Sequence, residues 1–341
     1  MFEKTDYLSS ASSILRKLKP TEVFDAYWYF AAERQRIFQL RRNNHPGPWT
    51  NDRILQTYKF TNAYRLLDRV SQFLIRNVIG SGEYKPNDLF FRIILFKLFN
   101  KIETWELLEG KLGEITWQSY DFKRYDCILS NALMDGQKIY SAAYIMPSGL
   151  SAFGSKRKHR NHLYLLELMM KTGLPSKISN SRSMHEAYNL LISYPTIGKF
   201  LSYQLITDIN YSELTDFKET EFVIAGPGAC EGIRKSFENF ENITPEEVVR
   251  IVTDFQNEEF EERGLCFDRI PQRPLQYIDC QNLFCEIDKY SRVAFPMLKG
   301  KTGRVKIKQK FKQNNKPIQY MLPPKWGGAL TNRSKEKNAL T

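Results

Sequence analysis

Two short glycine turns hold the residues of this chain best suited to grip a phosphate. The first is Tyr194-Pro195-Thr196-Ile197-Gly198-Lys199, and the second is Ala225-Gly226-Pro227-Gly228-Ala229. Glycine lets a ligand come close to the backbone. A helix that starts after such a turn offers free N–H groups and the positive end of its dipole. At the first turn Gly198 and Lys199 are the candidate contacts to a nucleic-acid backbone, with a plain tight turn between packed helices as the alternative. At the second, Gly226 and Gly228 open a helix that carries Arg234 and Lys235 further along, a set able to hold a phosphate or pyrophosphate. It is not a Walker A loop, because no glycine stands directly before Lys235. A helix start packed tightly on a neighbour is the competing reading.

The elements that must position these turns read as helices. Pro20-Thr21-Glu22 is a helix-start signal, and Val23, Phe24, Tyr27, Trp28, Phe30, Ala31 and Ile37 recur at helical spacing, which predicts a helix over 20–42. His45-Pro46-Gly47-Pro48-Trp49 ends it. Thr50-Asn51-Asp52 caps a second helix over 52–79, interrupted near Phe60-Thr61-Asn62. The run from Leu89 to Phe96 is apolar nearly all round, the pattern of a helix in the middle of a bundle. Further helices are predicted at 161–172, 183–192, 198–208, 229–239 and 244–256. Residues 154–160 read as a basic loop, where His159 and His162 flank Arg160 and suit phosphate contact or the surface better than a metal. Phe222–Ala225 is the best candidate for a short strand. Beyond residue 298, Lys299, Lys301, Arg304, Lys306, Lys308, Lys310 and Lys312 alternate with small or apolar residues, which predicts an exposed, loosely ordered basic tail over 299–341.

Composition bounds the function. A chain of 341 residues is long enough for one large domain or two interlocked ones. A hydrophobic fraction of 42% with 13% aromatic residues excludes a disordered chain. The net charge of +12 and pI near 9.3 point to a polyanion, nucleic acid ahead of membrane. Cys127, Cys230, Cys266, Cys280 and Cys285 are odd in number and scattered, as expected of reduced thiols in a cytoplasmic protein. Cys280 and Cys285 have no matching histidine cluster, so no metal site is predicted. Glu3, Lys4 and Asp6 precede any apolar run, which argues against a signal peptide. No apolar stretch approaches the roughly 20 residues that span a bilayer.

The turn from Pro195 to Gly198, followed by Phe200-Leu201-Ser202-Tyr203-Gln204, resembles the helix-hairpin-helix element of DNA repair glycosylases. Those enzymes carry a catalytic Asp after a short apolar run that follows the hairpin. Here the run is Phe222–Ala225 and the slot after it holds Gly226, which can neither stabilise an oxocarbenium-like state nor orient a nucleophile. Base excision is therefore disfavoured.

A larger set of blocks is specific in combination. It comprises the run from Tyr27 to Phe38, Pro48-Trp49-Thr50, the run from Tyr58 to Arg69, Asp208-Ile209-Asn210-Tyr211, the run from Glu221 to Ala229 and the run from Asp279 to Tyr290. Together, over about residues 20–296, they resemble the thymine-hypermodification family of phage and bacterial proteins: the alpha-glutamyl/putrescinyl-thymine pyrophosphorylases, or amino acid:DNA transferases. The same helical domain occurs fused to 5-hydroxymethyluracil DNA kinases. The resemblance implies a mostly α, helix-hairpin-helix, glycosylase-like fold over 1–298, as one region or as interlocked subdomains 1–150 and 151–298.

It also implies a reaction, in which an amine such as an amino acid or putrescine displaces pyrophosphate from 5-(pyrophosphoryloxymethyl)uracil in double-stranded DNA, with the base flipped out. The leaving pyrophosphate needs cations and N–H dipoles around it. Arg34, Arg36, Asn62, Arg65 and Arg69, with Gly226 and Gly228, are the candidates. Arg34 and Arg36 lie on different faces of one helix, so at most one points inward. The protonated amine needs a base, for which Asp208, Asp279, Glu286 and Asp288 are the candidates, with Lys289 beside them. Asp279, Glu286 and Lys289 can share a helix face. Gly198, Lys199, Arg234 and Lys235 are the expected DNA contacts, and a divalent ion would enter only on the pyrophosphate. A 5-hydroxymethyluracil DNA kinase is the implied partner. The rival readings are a glycosylase for a modified pyrimidine and a non-catalytic DNA-binding partner of such a kinase.

Overall fold

The computed structural model of the chain describes Ile14 and residues 17–143, 146–239, 242–270, 273–314 and 317–327. Glu3, Lys4 and Asp6, and the part of the expected tail from 328 on, lie outside the described residues. The architecture is mostly helical; among the described residues no strand forms, and the β-type pairing is confined to isolated bridges. Phe222–Ala225 joins no ladder. No helix among the described residues is long and apolar enough to cross a membrane, and the five cysteines are free thiols. The helices gather into two compact units whose boundaries fall after Asp68, after Glu221 and after Gln319.

The first unit begins with α1 (Glu22–Arg42). The Thr21 side chain caps it by accepting the Val23 N–H, and acidic residues in its first turn with Arg41 and Arg42 in its last suit the helix dipole. α2 (Arg53–Thr57) is capped by the Asp52 carboxylate. The expected long helix over 52–79 stops here. Residues 58–64 leave the helix, and a 3₁₀ turn (Arg65–Leu67) follows. The reason is competition: the N–H and C=O of Thr61 are taken by Glu286 and Arg34, side chains far away in sequence or on another element.

The second unit continues from α3 (Arg69–Phe73), which passes directly into a π-helical segment, Leu74–Ile79. Its centre is α4 (Pro86–Phe99), in which every residue from Leu89 to Phe99 is buried, as the all-apolar run predicts. Arg92 is buried among them because the Val78, Ile115 and Asn77 carbonyls and the Ser81 hydroxyl accept its donors. α5 (Ile102–Leu112), α6 (Phe122–Met134) and α7 (Leu150–Phe153) follow. α8 (Lys158–Lys171), α9 (Leu174–Ser179) and α11 (Lys199–Ile209) pack on α4, and α10 (Met184–Ile192) pairs with α11 across the first glycine turn. The expected basic loop is only partly a loop, since Lys158 to Arg160 already belong to α8.

The chain then returns to the first unit with α12 (Pro227–Ser236), α13 (Pro245–Asp254), α14 (Gln256–Glu262) and α15 (Tyr277–Ala294). α15 packs against α1, α12 and α13. Phe284 of α15 packs its ring, tilted, against Tyr27, which joins Phe24, Trp28, Phe237 and Phe260 in one aromatic cluster. The start of the basic tail is ordered, against expectation. The Lys59 N–H donates to the Gln309 carbonyl (3.1 Å) and the Phe311 N–H to the Thr57 carbonyl (2.9 Å), while Ile307 is buried.

Candidate functional site

The segment from Lys59 to Asp68 in the first unit is held from two sides and displays a compact set of charged groups. From α1, Arg34 donates through Nε to the Thr61 carbonyl and through Nη2 to Asn62 Oδ1, both at 2.9 Å. From α15, Glu286 Oε2 accepts the Thr61 N–H at 3.0 Å, and Asp279 Oδ1 accepts the Arg65 N–H at 2.8 Å. Lys289 reaches Glu286 at 2.8 Å and the Lys59 carbonyl at 3.3 Å, with its ammonium over the Phe60 ring. Asn62 closes the loop on itself: its N–H donates to Asp68 Oδ1 and its side-chain amide to the Leu67 carbonyl, each at 2.9 Å. Arg34, Asn62, Arg65, Asp279, Glu286 and Lys289 are thus brought together, and two of the three carboxylates of α15, Asp279 and Glu286, face the same segment.

The electrostatics single out a residue that sequence reasoning passed over. Burial pushes the Asp68 carboxyl up to about 7; the Asn62 N–H opposes the rise, the negative Glu286 adds to it, and Arg34 and Arg65 oppose it. Burial also lowers the Arg34 guanidinium, while Asp68 and Glu286 favour its charge. A carboxyl that titrates near neutrality can both accept and return a proton. Asp68 lies in the same sequence block as Asn62 and Arg65. No spacing rule points to it, because the segment is not a helix.

Several expected roles meet a different geometry. Asp279 is fully buried and its two oxygens accept the Arg65 and Gln276 N–H groups, so it clamps backbone and caps α15 rather than meeting an amine. Asp288 is buried between two cations, Lys235 at 2.8 Å and Arg292. Lys235 is accordingly a core residue and does not present its charge to DNA. Arg234 pairs with Glu231 at 2.6 Å. Arg36 points outward, forked onto Glu33 with a further bond to the Trp49 carbonyl, so Arg34 is the inward arginine of α1.

The second glycine turn is a packing device. A Cβ on Gly228 would stand 2.8 Å from Cys285 Sγ, and one on Gly232 would overlap the Phe284 carbonyl. Small residues here let α12 lie directly on α15. Gly226 is the N-cap of α12, Pro227 brings no N–H, and the Glu246 carboxylate already accepts the Ala225 N–H at 2.9 Å. An anion would meet that negative charge.

Residues 21–300 match the family described as 5-hmdU DNA kinase, helical domain. The chain belongs to this family. A curated relative, the 5-hmdU DNA kinase of Bacillus phage SP10, is 26% identical over 346 residues, which cover 93% of this chain and 53% of the relative. The chain therefore spans about half the length of that kinase. No solved structure matches. The kinase-family helical domain takes in every candidate residue from Arg34 to Lys289.

Within that domain, the second unit holds the remaining candidates. Gly198 and Lys199 are exposed at the start of α11. Gly198 has φ −85° and open space where a Cβ would be; the left-handed residue of this turn is Thr196, at φ 69°. Arg69 is exposed at the start of α3. Asp208 is completely buried and pairs with Lys97 at 3.1 Å, a position closed to an incoming amine. His159 and His162 are buried as well, one against Asp126 and Ser130, the other between Tyr140 and the Pro147 carbonyl. Burial lowers His162 to about 4, which keeps it neutral and off any phosphate. Among the described residues no group of three or more His, Cys, Asp or Glu side chains could hold a metal ion.

Proposed function

We propose that this chain acts in thymine hypermodification, on DNA that carries 5-hydroxymethyluracil or a base made from it. The kinase-family helical domain, the relative's name and the net charge of +12 support that reading. Its chemistry is amine-for-pyrophosphate transfer on a base extruded from the duplex. The amine nitrogen forms a bond to the exocyclic CH2 carbon. The carbon–oxygen bond breaks, and pyrophosphate leaves with the electron pair. The proton lost by the ammonium passes to a carboxylate. The observation that carries this assignment is Asp68, poised near pH 7 within one hydrogen-bonded set with Asn62 and Arg34. Asp68 takes the proton, and Arg34 and Lys289 supply positive charge for the leaving polyanion. A glycosylase-like arrangement of helices around α10 and α11, with Gly198 and Lys199 on the DNA backbone, is part of the same proposal.

The test incubates the protein with pyrophosphorylated hydroxymethyluracil DNA and a panel of amino acids and polyamines, then weighs the nucleosides by mass spectrometry. A new amine-bearing nucleoside, lost in Asp68→Asn, supports the transferase; no new nucleoside with any amine ends it. A second reading is a non-catalytic helical partner of a hydroxymethyluracil kinase, supported by the match of residues 21–300 to the helical domain of that kinase family. It expects DNA binding to survive Asp68→Asn, with no activity to lose.

A further inference from the structure

We infer that Lys306, Lys308, Lys310 and Lys312 form a preorganised row that tracks the phosphates of one DNA strand beside the candidate site. The four residues lie beyond the span of the family match, which ends at residue 300. They alternate in sequence, so in an extended segment they share one face, spaced about 6.6 Å apart. That spacing is comparable with the distance between successive phosphates along a nucleic-acid strand. The opposite face anchors the segment, with Ile307 buried and Phe311 half-buried.

The backbone is fixed along its length. The Arg292 side chain donates to the Lys306 carbonyl at 3.3 Å, and the pairing with residues 57–59 engages Gln309 and Phe311. Arg41 donates to the Asn314 carbonyl at 3.0 Å. Tyr58 and Lys310 form the antiparallel bridge, with the Lys310 ammonium 4.2 Å above the Tyr58 ring. All four lysines are exposed, and none forms an ion pair with a carboxylate among the described residues. A row of cations held in place by an apolar anchor and four backbone contacts is built differently from a loose basic tail. It loses less conformational freedom when a polyanion binds.

Its location gives it a purpose. The partner segment of the bridge, Tyr58-Lys59-Phe60, runs straight on into Thr61 and Asn62 of the candidate site. A strand laid along the row is thereby led toward Arg34 and Asp68. The occupant is DNA, which rests on the substrate class proposed above; the amine-transfer chemistry plays no part in it.

The experiment measures binding of the full chain to an unmodified fluorescent duplex from 50 to 200 mM salt. Each phosphate neutralised adds about 0.9 to the slope of log K against log salt. Replacing all four lysines with Gln should cut the slope by roughly 3 to 4 and weaken binding at least tenfold at 100 mM salt, while the four-Arg version keeps both. A control replaces the exposed Lys111, Lys123, Lys138 and Lys177 with Gln, removing the same charge elsewhere. Equal losses in the two sets, or no binding by the parent chain, would overturn the row. Failure of amine transfer alone leaves this result standing, because the probe carries no modified base.

Discussion

The Lys235 ammonium lies 2.8 Å from the Asp288 carboxylate, and each side chain is at most 5% exposed. The pair bridges α12 and α15, with the Ser291 hydroxyl at 3.1 Å completing the lysine's partners. Charges taken this far from water repay their desolvation only while they are matched. Lys235→Met should therefore destabilise the fold by about 3–5 kcal/mol, because Asp288 stays buried with one of its two cations gone. The double variant Lys235→Met/Asp288→Leu should recover part of that loss. Urea unfolding of both variants checks this; a DNA-contact role for Lys235 would instead leave stability unchanged and lower affinity.

Two glycines of the expected phosphate-binding stretches should respond in opposite ways. Gly232→Ala drives a Cβ into the Phe284 carbonyl, an atom of helix backbone that cannot rotate aside. The cost should be about 1–3 kcal/mol or more. Gly198 has an ordinary φ and nothing near its missing Cβ. Gly198→Ser should leave stability unchanged or raise it by about a few tenths of a kcal/mol, since serine is a somewhat better N-cap than glycine. Thermal unfolding of the two variants reads the difference. A lowered DNA affinity in Gly198→Ser at full stability would place a phosphate at this turn.

Asp279 makes a third case. Both of its oxygens accept backbone N–H groups in a fully buried position. Asp279→Ala would strand the Arg65 and Gln276 donors, at about 1–3 kcal/mol for each buried group left without a partner. Asp279→Asn keeps one acceptor and should cost less. If the alanine variant folds as stably as the parent yet abolishes activity, the carboxylate is chemical rather than structural.

What could be read in advance divides along physical lines. Helices α1, α4, α8, α10, α11, α12 and α13 were legible from apolar periodicity and caps, because their hydrogen bonds are local. The segment 58–68 was not, because its backbone groups are satisfied by Asp279 and Glu286, more than two hundred residues away. Gly228 and Gly232 advertised a close approach, but a helix and a phosphate ask the same thing of a glycine; only Cys285 and Phe284 in place tell them apart. The basic tail looked loose because its anchors, Thr57 and Lys59, lie on another part of the chain. Asp68 was invisible for the same reason: its proton affinity is set by burial and by the company of Asn62, Glu286 and Arg34.

That assembly makes a pH-dependent prediction. Asp68 titrates near 7 in the folded chain and near 4 when unfolded. Below about pH 4 both states hold the proton. Between about pH 4 and 7 the unfolded chain has lost its proton while the folded chain keeps it, so this group's contribution to stability falls as pH rises through that window and levels off above it. Asp68→Asn, which retains the acceptor for the Asn62 N–H, should remove that fall and be the more stable protein relative to the parent at pH 8 than at pH 5. Glu286→Gln takes away a negative charge that raises Asp68, so it should move the midpoint of the Asp68 titration downward. Urea unfolding between pH 4.5 and 8.5, with the carboxyl carbon of Asp68 followed by NMR, reads both effects. If the difference in stability between parent and Asp68→Asn is the same at every pH, the carboxyl titrates like an exposed one and cannot be the base that takes the amine proton.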